Sequence, residues 1–509
     1  MNPLKETGVR TSFTQKPAPT ASVDWCNVAR VTIDMLPDIA LLEIFHIYVN
    51  DEWIDYDLGQ EAREEILEPE AWYTLVHVCR KWRSVVFGSP HRLGLRLCCS
   101  ASTPVKETLG VWPPLPIVII DKRDEKWDLG HIIAAVEHND RICELELMSV
   151  PSSQMEKVFA AMQQPFPALT RLWLCPKPVQ TAAVVPASFL GGSTPRLQKL
   201  WMTSISFPGL TKLLLSATLL VNLDIRNIPH SGYISPEAMV TSLSVLNRLE
   251  YLEIGFESPR SRPDGESRRP PPLTRILLPA LTLLTFRGVG KYLEDLVARI
   301  DAPLLDDLDI TFFHQLIFDT PQLSQFISRT PKLRAHGEAR VVFSDGRVSI
   351  TLAHPRTLSG RIRLGISCTQ SDWKLSFLAQ VCSSSFPPAF IPAVEHLYIQ
   401  TRPSGMHWQD DMENSQWVEL LHSFTGVESL YIYQYFTPLI APALQELVEE
   451  EVTEVLPALQ TLFLEDPLPS SPAQEGIEQF VAARQLAGHP IAASPWGKRI
   501  VDAIFEHDY

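Results

Sequence analysis

Positive charge is the first thing this sequence has little of. Lysine and arginine total 44 against 59 aspartates and glutamates, for a formal net charge of -15. Phosphate backbones are recognised by basic faces, so nucleic-acid binding is not expected. Basic runs are few, and Arg260 to Arg269 lies among Pro, Ser and Gly, where it reads as a solvated loop. Long apolar runs are also missing. No stretch approaches the roughly 20 residues of a membrane span, and residues 1–30 lack the apolar core and cleavage site of a secretory signal. No membrane association is expected. The eight cysteines are scattered, with one adjacent pair (Cys98 and Cys99) and no C-x-x-C, so a cytoplasmic or nuclear chain with reduced thiols is the simple reading.

Glycine is scarce as well, with 23 residues that seldom cluster. There is no phosphate-cradling loop, no dinucleotide turn, no G-x-S-x-G and no H-E-x-x-H. His131 and His138 lie seven apart and could share a helix face, but no further ligand stands at metal spacing. Asp410, Asp411 and Glu413 form a loop charge cluster that reads as solvated. No enzymatic activity, catalytic residue, metal or cofactor is therefore expected.

What is present is length and pattern. At 509 residues and 45% hydrophobic content, two or more folded units are expected. Residues 1–30 are polar and read as a loose tail. A first helix is predicted from Leu36-Pro37 to Val49, with proline at its first position and Asp38 complementing the helix dipole. Its polar residues Glu43, His46 and Asn50 make one narrow stripe; a helix apolar on most of its circumference needs more than one neighbour. A second helix is predicted over Ala71–Phe87, stopped by Gly88-Ser89-Pro90.

Leu36-Pro37-x-Ile39-x-x-x-x-Ile44-Phe45, followed by Leu75-Val76-x-Val78-Cys79-Arg80-Lys81-Trp82-Arg83, resembles the F-box, including its fungal members. The resemblance implies a small all-α module that binds a Skp-type adaptor and, through it, a cullin–RING ubiquitin ligase. Carried over by position, the adaptor-binding residues are Leu36, Pro37, Ile39, Ile44, Phe45, Val76, Val78, Cys79 and Trp82. The acidic stretch from residue 50 to 70 is longer than the family's usual spacer, and no residue is carried over from it.

Beyond residue 140 an aliphatic-x-x-Leu-x-apolar pattern recurs, beginning at Ile142, Leu169, Leu197, Leu220, Leu249, Leu281 and Leu305, and again at Val394, Val427 and Leu459. The spacing, about 23 to 33 residues, is close to that of leucine-rich repeats. Short strands alternating with helices predict a curved parallel sheet with helices outside. Helix starts are expected at Ser235-Pro236 and Thr320-Pro321, and helices over Lys291–Ile300, Ser415–Phe424, Ala443–Val452 and, as a C-terminal cap, Ile477–Ala487. The position of the usual asparagine ladder holds Val150, Lys177, Ile205, Ile228 and other residues instead, so the turns must be held some other way. In the gap after Leu305, Val341-Val342-Phe343 and Val348-Ser349-Ile350 flank Asp345-Gly346, a hairpin signal.

Strand alternation places one residue per repeat on the concave side: Glu146, Trp173, Trp201, Asp224, Glu253, Thr285, Asp309, Tyr398, Tyr431 and Phe463. All but Glu146 and Thr285 are candidate substrate contacts, as an acidic middle flanked by aromatics. That middle argues against phosphate recognition there.

The fold class expected is α/β: a tail at 1–30, an all-α F-box module at 31–99, and an irregular leucine-rich-repeat-like solenoid at 100–509. The function implied is substrate recognition for an SCF-type (Skp adaptor, cullin, F-box) E3 ubiquitin ligase, with an unknown protein substrate. The alternative is an interaction scaffold whose N-terminal helices only cap the solenoid. A third reading is adaptor binding outside ubiquitination.

Overall fold

A computed structural model of the chain describes residues 33–50, 72–100, 105–120, 128–177, 182–259, 274–313, 318–334, 336–344, 346–354, 357–367, 375–401, 413–447, 451–465 and 472–496. The tail at 1–30, most of the acidic spacer, Arg260 to Arg269, Asp345 and Asp410-Asp411 lie outside them. The chain divides into two units, Met1–Gly94 and Leu95–Tyr509.

The first unit is helical: α1 over Asp38–Asn50, α2 over Trp72–Val78 and α3 over Arg80–Gly88. Leu41, Phe45 and Val49, four residues apart along one side of α1, are buried with Trp72, Leu75, Val76, Val85 and Val86. The single helix expected over 71–87 is in fact two. Cys79 is extended (φ -156°, ψ 171°) and its sulfur accepts the Trp82 N–H at 3.4 Å, so it caps a new helix. Arg80 and Lys81 consequently stand at a helix start, not at the C-terminal end. Arg83 Nε still reaches a helix end, donating to the Val76 carbonyl at 2.9 Å.

The second unit is mixed α/β, built on a 16-stranded sheet. It already begins before residue 100, because Leu97–Cys99 pairs with Ile117–Ile120 as the first two strands. From there the strands lie in chain order through Ile142–Val150, Arg171–Pro176, Lys199–Thr203, Asn222–Ile228, Tyr251–Phe256, Leu283–Gly288 and Asp307–Phe313. Next come Thr357–Ser367, Arg347–His354 and Glu338–Ser344, in reversed order, then His396–Thr401, Ser429–Ile432, Thr461–Glu465 and Ala492–Trp496. All neighbours pair in parallel except those of Arg347–His354, the one strand that runs against the rest.

The hairpin signal is realised as Val341 opposite Ile350 and Phe343 opposite Val348, closed through Gly346 at φ 65°. That signal accounts for two strands only. The fold adds a third, Thr357–Ser367, whose Ile362, Leu364 and Ile366 are buried. Both outer strands of this insert run with the solenoid, so parallel pairing continues across it.

The repeat motif is a packing unit. Its first aliphatic residue is buried in every repeat and in most closes a tight turn onto the carbonyl three residues earlier. Examples are Leu169 N–H to Phe166 at 3.2 Å, Leu220 to Ala217 at 3.0 Å and Val394 to Ile391 at 3.2 Å. In place of an asparagine ladder, a backbone ladder ties repeat to repeat. The Thr170 carbonyl accepts from Gln198 and Lys199 N–H, Gln198 from Val221 and Asn222, Val221 from Glu250 and Tyr251, and Glu250 from Thr282 and Leu283. These bonds give partners to backbone amides that an isolated strand would leave unpaired within the chain.

The helices expected from start signals form with shifted bounds. Ser235 caps Pro236–Leu243, its hydroxyl accepting the Ala238 N–H at 3.2 Å. Thr320 does not cap Pro321–Arg329; its hydroxyl bonds Ser385 Oγ at 2.7 Å, and the cap is supplied by Glu294 of the preceding repeat. The buried Glu294 carboxylate accepts Gln322 and Leu323 N–H at 2.9 and 2.8 Å. The helix expected over 443–452 lies earlier, Thr437–Gln445, because Pro438 occupies its first turn. Lys291–Ile300 is realised as Gly290–Val297, with Ile300 already in a short strand. The closing helix spans Pro472–Leu486. Its Arg484 is buried and donates to the carbonyls of Val452, Leu456, Pro457 and Leu459, the first at 2.9 Å.

Candidate functional site

In the first unit the two halves of the motif are joined by side chains. Lys81 Nζ donates to the Leu36 carbonyl at 2.9 Å and lies 3.9 Å from Asp38, and the Trp82 and Phe45 rings stand 4.7 Å apart. The nine motif residues divide into two groups. Phe45 and Val76 are fully buried, and Leu36, Cys79 and Trp82 are half-buried. Pro37, Ile39, Ile44 and Val78 face outward, with Ile39 64% and Val78 55% exposed. The structure adds four residues that motif matching did not single out: Ile33, Met35, Ile47 and Tyr48 are exposed too. Seven of the fourteen exposed large apolar side chains among the described residues thus fall between residues 33 and 78. Single exposed apolar side chains are ordinary, whereas a concentration of them on one small helical unit is not. Ile39 and Ile47 lie two turns apart on α1, on the side opposite Leu41, Phe45 and Val49, which is why its pattern looks apolar nearly all round.

In the second unit all ten residues assigned to one side by alternation fall in one registered row across the sheet. Glu146 pairs with Trp173, Trp173 with Trp201, Trp201 with Asp224, Asp224 with Glu253, Glu253 with Thr285 and Thr285 with Asp309. The row does not then jump to Tyr398. It passes through Arg363, Thr351 and Arg340 of the inserted strands before continuing to Tyr398, Tyr431 and Phe463. Sequence pattern misses these three because the insert lacks the aliphatic-x-x-Leu-x-apolar motif that marks the row elsewhere, and its third strand carries no turn signal either. The alternation of Ile362, Leu364 and Ile366 is the signal that could reveal the third.

The aromatics of the row pack on one another, Trp173 and Trp201 tilted by 32° and the other pairs stacked. Trp173 and Trp201 lie 4.7 Å apart; Tyr398 and Tyr431 stack at 4.3 Å and 10°, and Tyr431 and Phe463 at 4.6 Å and 7°. The Arg340 guanidinium sits 5.8 Å from the Tyr398 ring, close enough for a cation–π contact.

The acidic middle is corrected by the structure. Asp224 is buried rather than exposed, and Arg226 holds it through Nε–Oδ1 at 2.9 Å and Nη2–Oδ2 at 2.7 Å. Arg226 Nη2 also donates to Glu253 at 2.8 Å. Asp309 accepts from Arg347 at 2.7 Å and Arg363 at 3.4 Å, and Arg361 is paired with Asp307. Arginines brought in by the insert and by the strand end at 226 therefore offset the carboxylates. Burial first, and then the Glu253 carboxylate, push Asp224 up to about 7 against the pull of Arg226. Burial raises Tyr398 well above the usual phenol range.

Among the described residues no group of three or more His, Cys, Asp or Glu is placed to hold a metal ion, and no helix is long and apolar enough to cross a membrane. His138 lies beyond the end of the helix over Leu129–Val136, so it does not share that helix with His131. Cys99 is buried and Cys98 half-buried.

No protein-family model matches the chain, and no curated protein matches it. Solved structures do. One is the leucine-rich repeat-containing protein LegL7 from Legionella pneumophila, at 14% identity and a TM-score of 0.24, covering 67% of this chain and 90% of that one. A likeness at that level carries no argument about function.

Proposed function

We propose that this chain is a non-enzymatic substrate receptor of an SCF-type E3 ubiquitin ligase. Its helical unit docks a Skp-type adaptor, and the open face of its sheet holds a protein substrate. The observation that carries the proposal is the concentration of exposed Ile39, Ile44, Ile47 and Val78 on the unit whose sequence resembles the F-box. Burying such side chains is the main favourable term in protein association. Lys81 and Trp82 support the reading in another way. They tie the motif halves into one framework, so the motif has a structural reason as well as a surface.

Recruitment needs no bond chemistry from the chain. The adaptor and cullin bring the charged ubiquitin-conjugating enzyme, and the sheet holds the substrate near it, which raises the effective concentration of acceptor lysines. The row of stacked Tyr398, Tyr431 and Phe463, with Trp173 and Trp201 at the other end, offers the residue types that dominate protein-binding hot spots. A cytoplasmic or nuclear location belongs to the same proposal.

The experiment is co-expression with a Skp-type adaptor, followed by co-purification and calorimetry. A stable 1:1 complex is expected. If the intact, folded chain does not bind the adaptor, the ubiquitin assignment falls and an interaction scaffold is left. If it binds but supports no ubiquitin transfer to any captured protein, adaptor binding outside ubiquitination is left.

A further inference from the structure

Two carboxylates and one guanidinium meet on the open face of the sheet. Arg226 Nη2 lies 2.7 Å from Asp224 Oδ2 and 2.8 Å from Glu253 Oε2, and 3.5 Å from the Tyr251 hydroxyl. The Asp224 side chain is 2% exposed and that of Glu253 15%, while half of the Arg226 side chain remains in solvent. Tyr251 donates its hydroxyl hydrogen to the same Glu253 oxygen, and the side chain of Trp201 hydrogen-bonds Asp224. Two anions sharing one cation leave an excess negative charge in a place that water reaches poorly. Such a pair takes up a proton more readily than either acid alone.

We propose that Asp224, Glu253 and Arg226 form a proton-operated latch. With both acids ionised, Asp224 grips the guanidinium with both its oxygens. A proton taken from solvent onto one Asp224 oxygen removes an acceptor and the charge, which ends the two-point grip. Arg226, held then by Glu253 and the long 3.5 Å contact to Tyr251, is free to swing its exposed end outward.

The surroundings favour Asp224 as the member that takes the proton. On the flanking strands the charged and titratable side chains of this face are Lys199 on one side and Tyr251 with Glu253 on the other; one strand further out stand Arg171, Cys175 and Arg287. Asp224 is the most deeply buried acid of the set, which raises its affinity for a proton most. Its ordinary value is 3.8 and its value in the fold about 7. The folded chain therefore binds this proton more tightly than the unfolded chain. Asp224 contributes stability that is fully present below about pH 4 and is lost as pH rises through about 7. Released, Arg226 adds one positive charge to the open face and can meet an acidic side chain of a partner. That last consequence rests on the substrate-binding reading above; the latch itself does not.

The test is a pH titration of tryptophan emission from the full chain between pH 5 and 8.5, with the signal of Trp201→Phe subtracted to isolate Trp201. A sigmoidal change centred near pH 7 is expected. Asp224→Asn should abolish it, and Glu253→Gln should move it down by about one pH unit or more, since a like charge next to the acid is removed. A flat Trp201 signal, or a transition that survives in Asp224→Asn, overturns the proposal. Should Trp201→Phe fail to fold, the melting midpoint of wild type minus that of Asp224→Asn serves instead. The difference should fall steadily from pH 5 to 7 and level above 8, and a difference independent of pH overturns the latch. Neither measurement involves a partner, so failure of the substrate-binding reading leaves both outcomes interpretable.

Discussion

Replacing Ile39, Ile44 and Ile47 together by serine should cost the chain its adaptor while leaving its fold intact. These side chains are 64%, 44% and 59% exposed, so the chain alone gains little from them. Full burial of an isoleucine is worth about 1.5–3 kcal/mol. Scaled by the exposed fractions, the three together have about 2.5–5 kcal/mol still to gain from a partner. Loss of that term weakens binding by about 60-fold to about 4,000-fold at about 1.4 kcal/mol per tenfold. The fixed costs of association are common to wild type and variant and cancel in the comparison. Calorimetry with a purified Skp-type adaptor measures the change, and circular dichroism with a thermal melt checks the fold. Exposed substitutions of this kind shift stability by about 0.5 kcal/mol or less each. Phe45→Ala makes the opposite control, since Phe45 is fully buried against Trp82 and its loss should unfold the unit. Binding within threefold of wild type by a folded triple variant would refute the assignment of this surface to the adaptor. The structure matters to the choice of residues: Leu36 and Trp82 are half-buried supports, and changing them would confound binding with folding.

Other outcomes follow from single groups. Glu294→Ala should destabilise the sheet unit by about 2–4 kcal/mol, because the Gln322 and Leu323 amides lose a charged acceptor in a buried place, and Glu294→Gln should cost less; denaturant unfolding measures both. Arg484→Met should cost about 2–4 kcal/mol, seen as early proteolysis of the C-terminal repeats, since the carbonyls from Val452 to Leu459 lose their donor. Burial pushes the Cys143 thiol to about 11 and Cys382 to about 12. At pH 8 both should alkylate far more slowly than a free thiol in the native chain and rapidly in urea, as read by peptide mass spectrometry.

Much of the architecture is legible in the amino-acid sequence. The aliphatic-x-x-Leu-x-apolar motif reports burial within a few residues, and burial is what a strand core imposes locally; hence the Leu-x-apolar part of all ten motifs lies on strands and shares one register. The same local logic exposes the hairpin at Gly346 and the cap at Ser235. The motif at Leu36 to Trp82 likewise names residues that the fold joins through Lys81 and Phe45.

What the sequence alone does not decide depends on groups far apart along the chain. Nothing near Thr320 announces that Glu294, from the preceding repeat, caps its helix. The break at Cys79 is hidden because its neighbours keep helical apolar spacing on both sides. The acidic middle read from single positions becomes a set of ion pairs once Arg347 and Arg363 are folded against Asp309, 38 and 54 residues away. Composition and periodicity determine which side chains must leave water and which face of an element they share. Which charge meets which is decided by strand order, and which apolar residue is left outside by how the helices pack, because electrostatic pairing and shape act across contacts that only the folded chain creates.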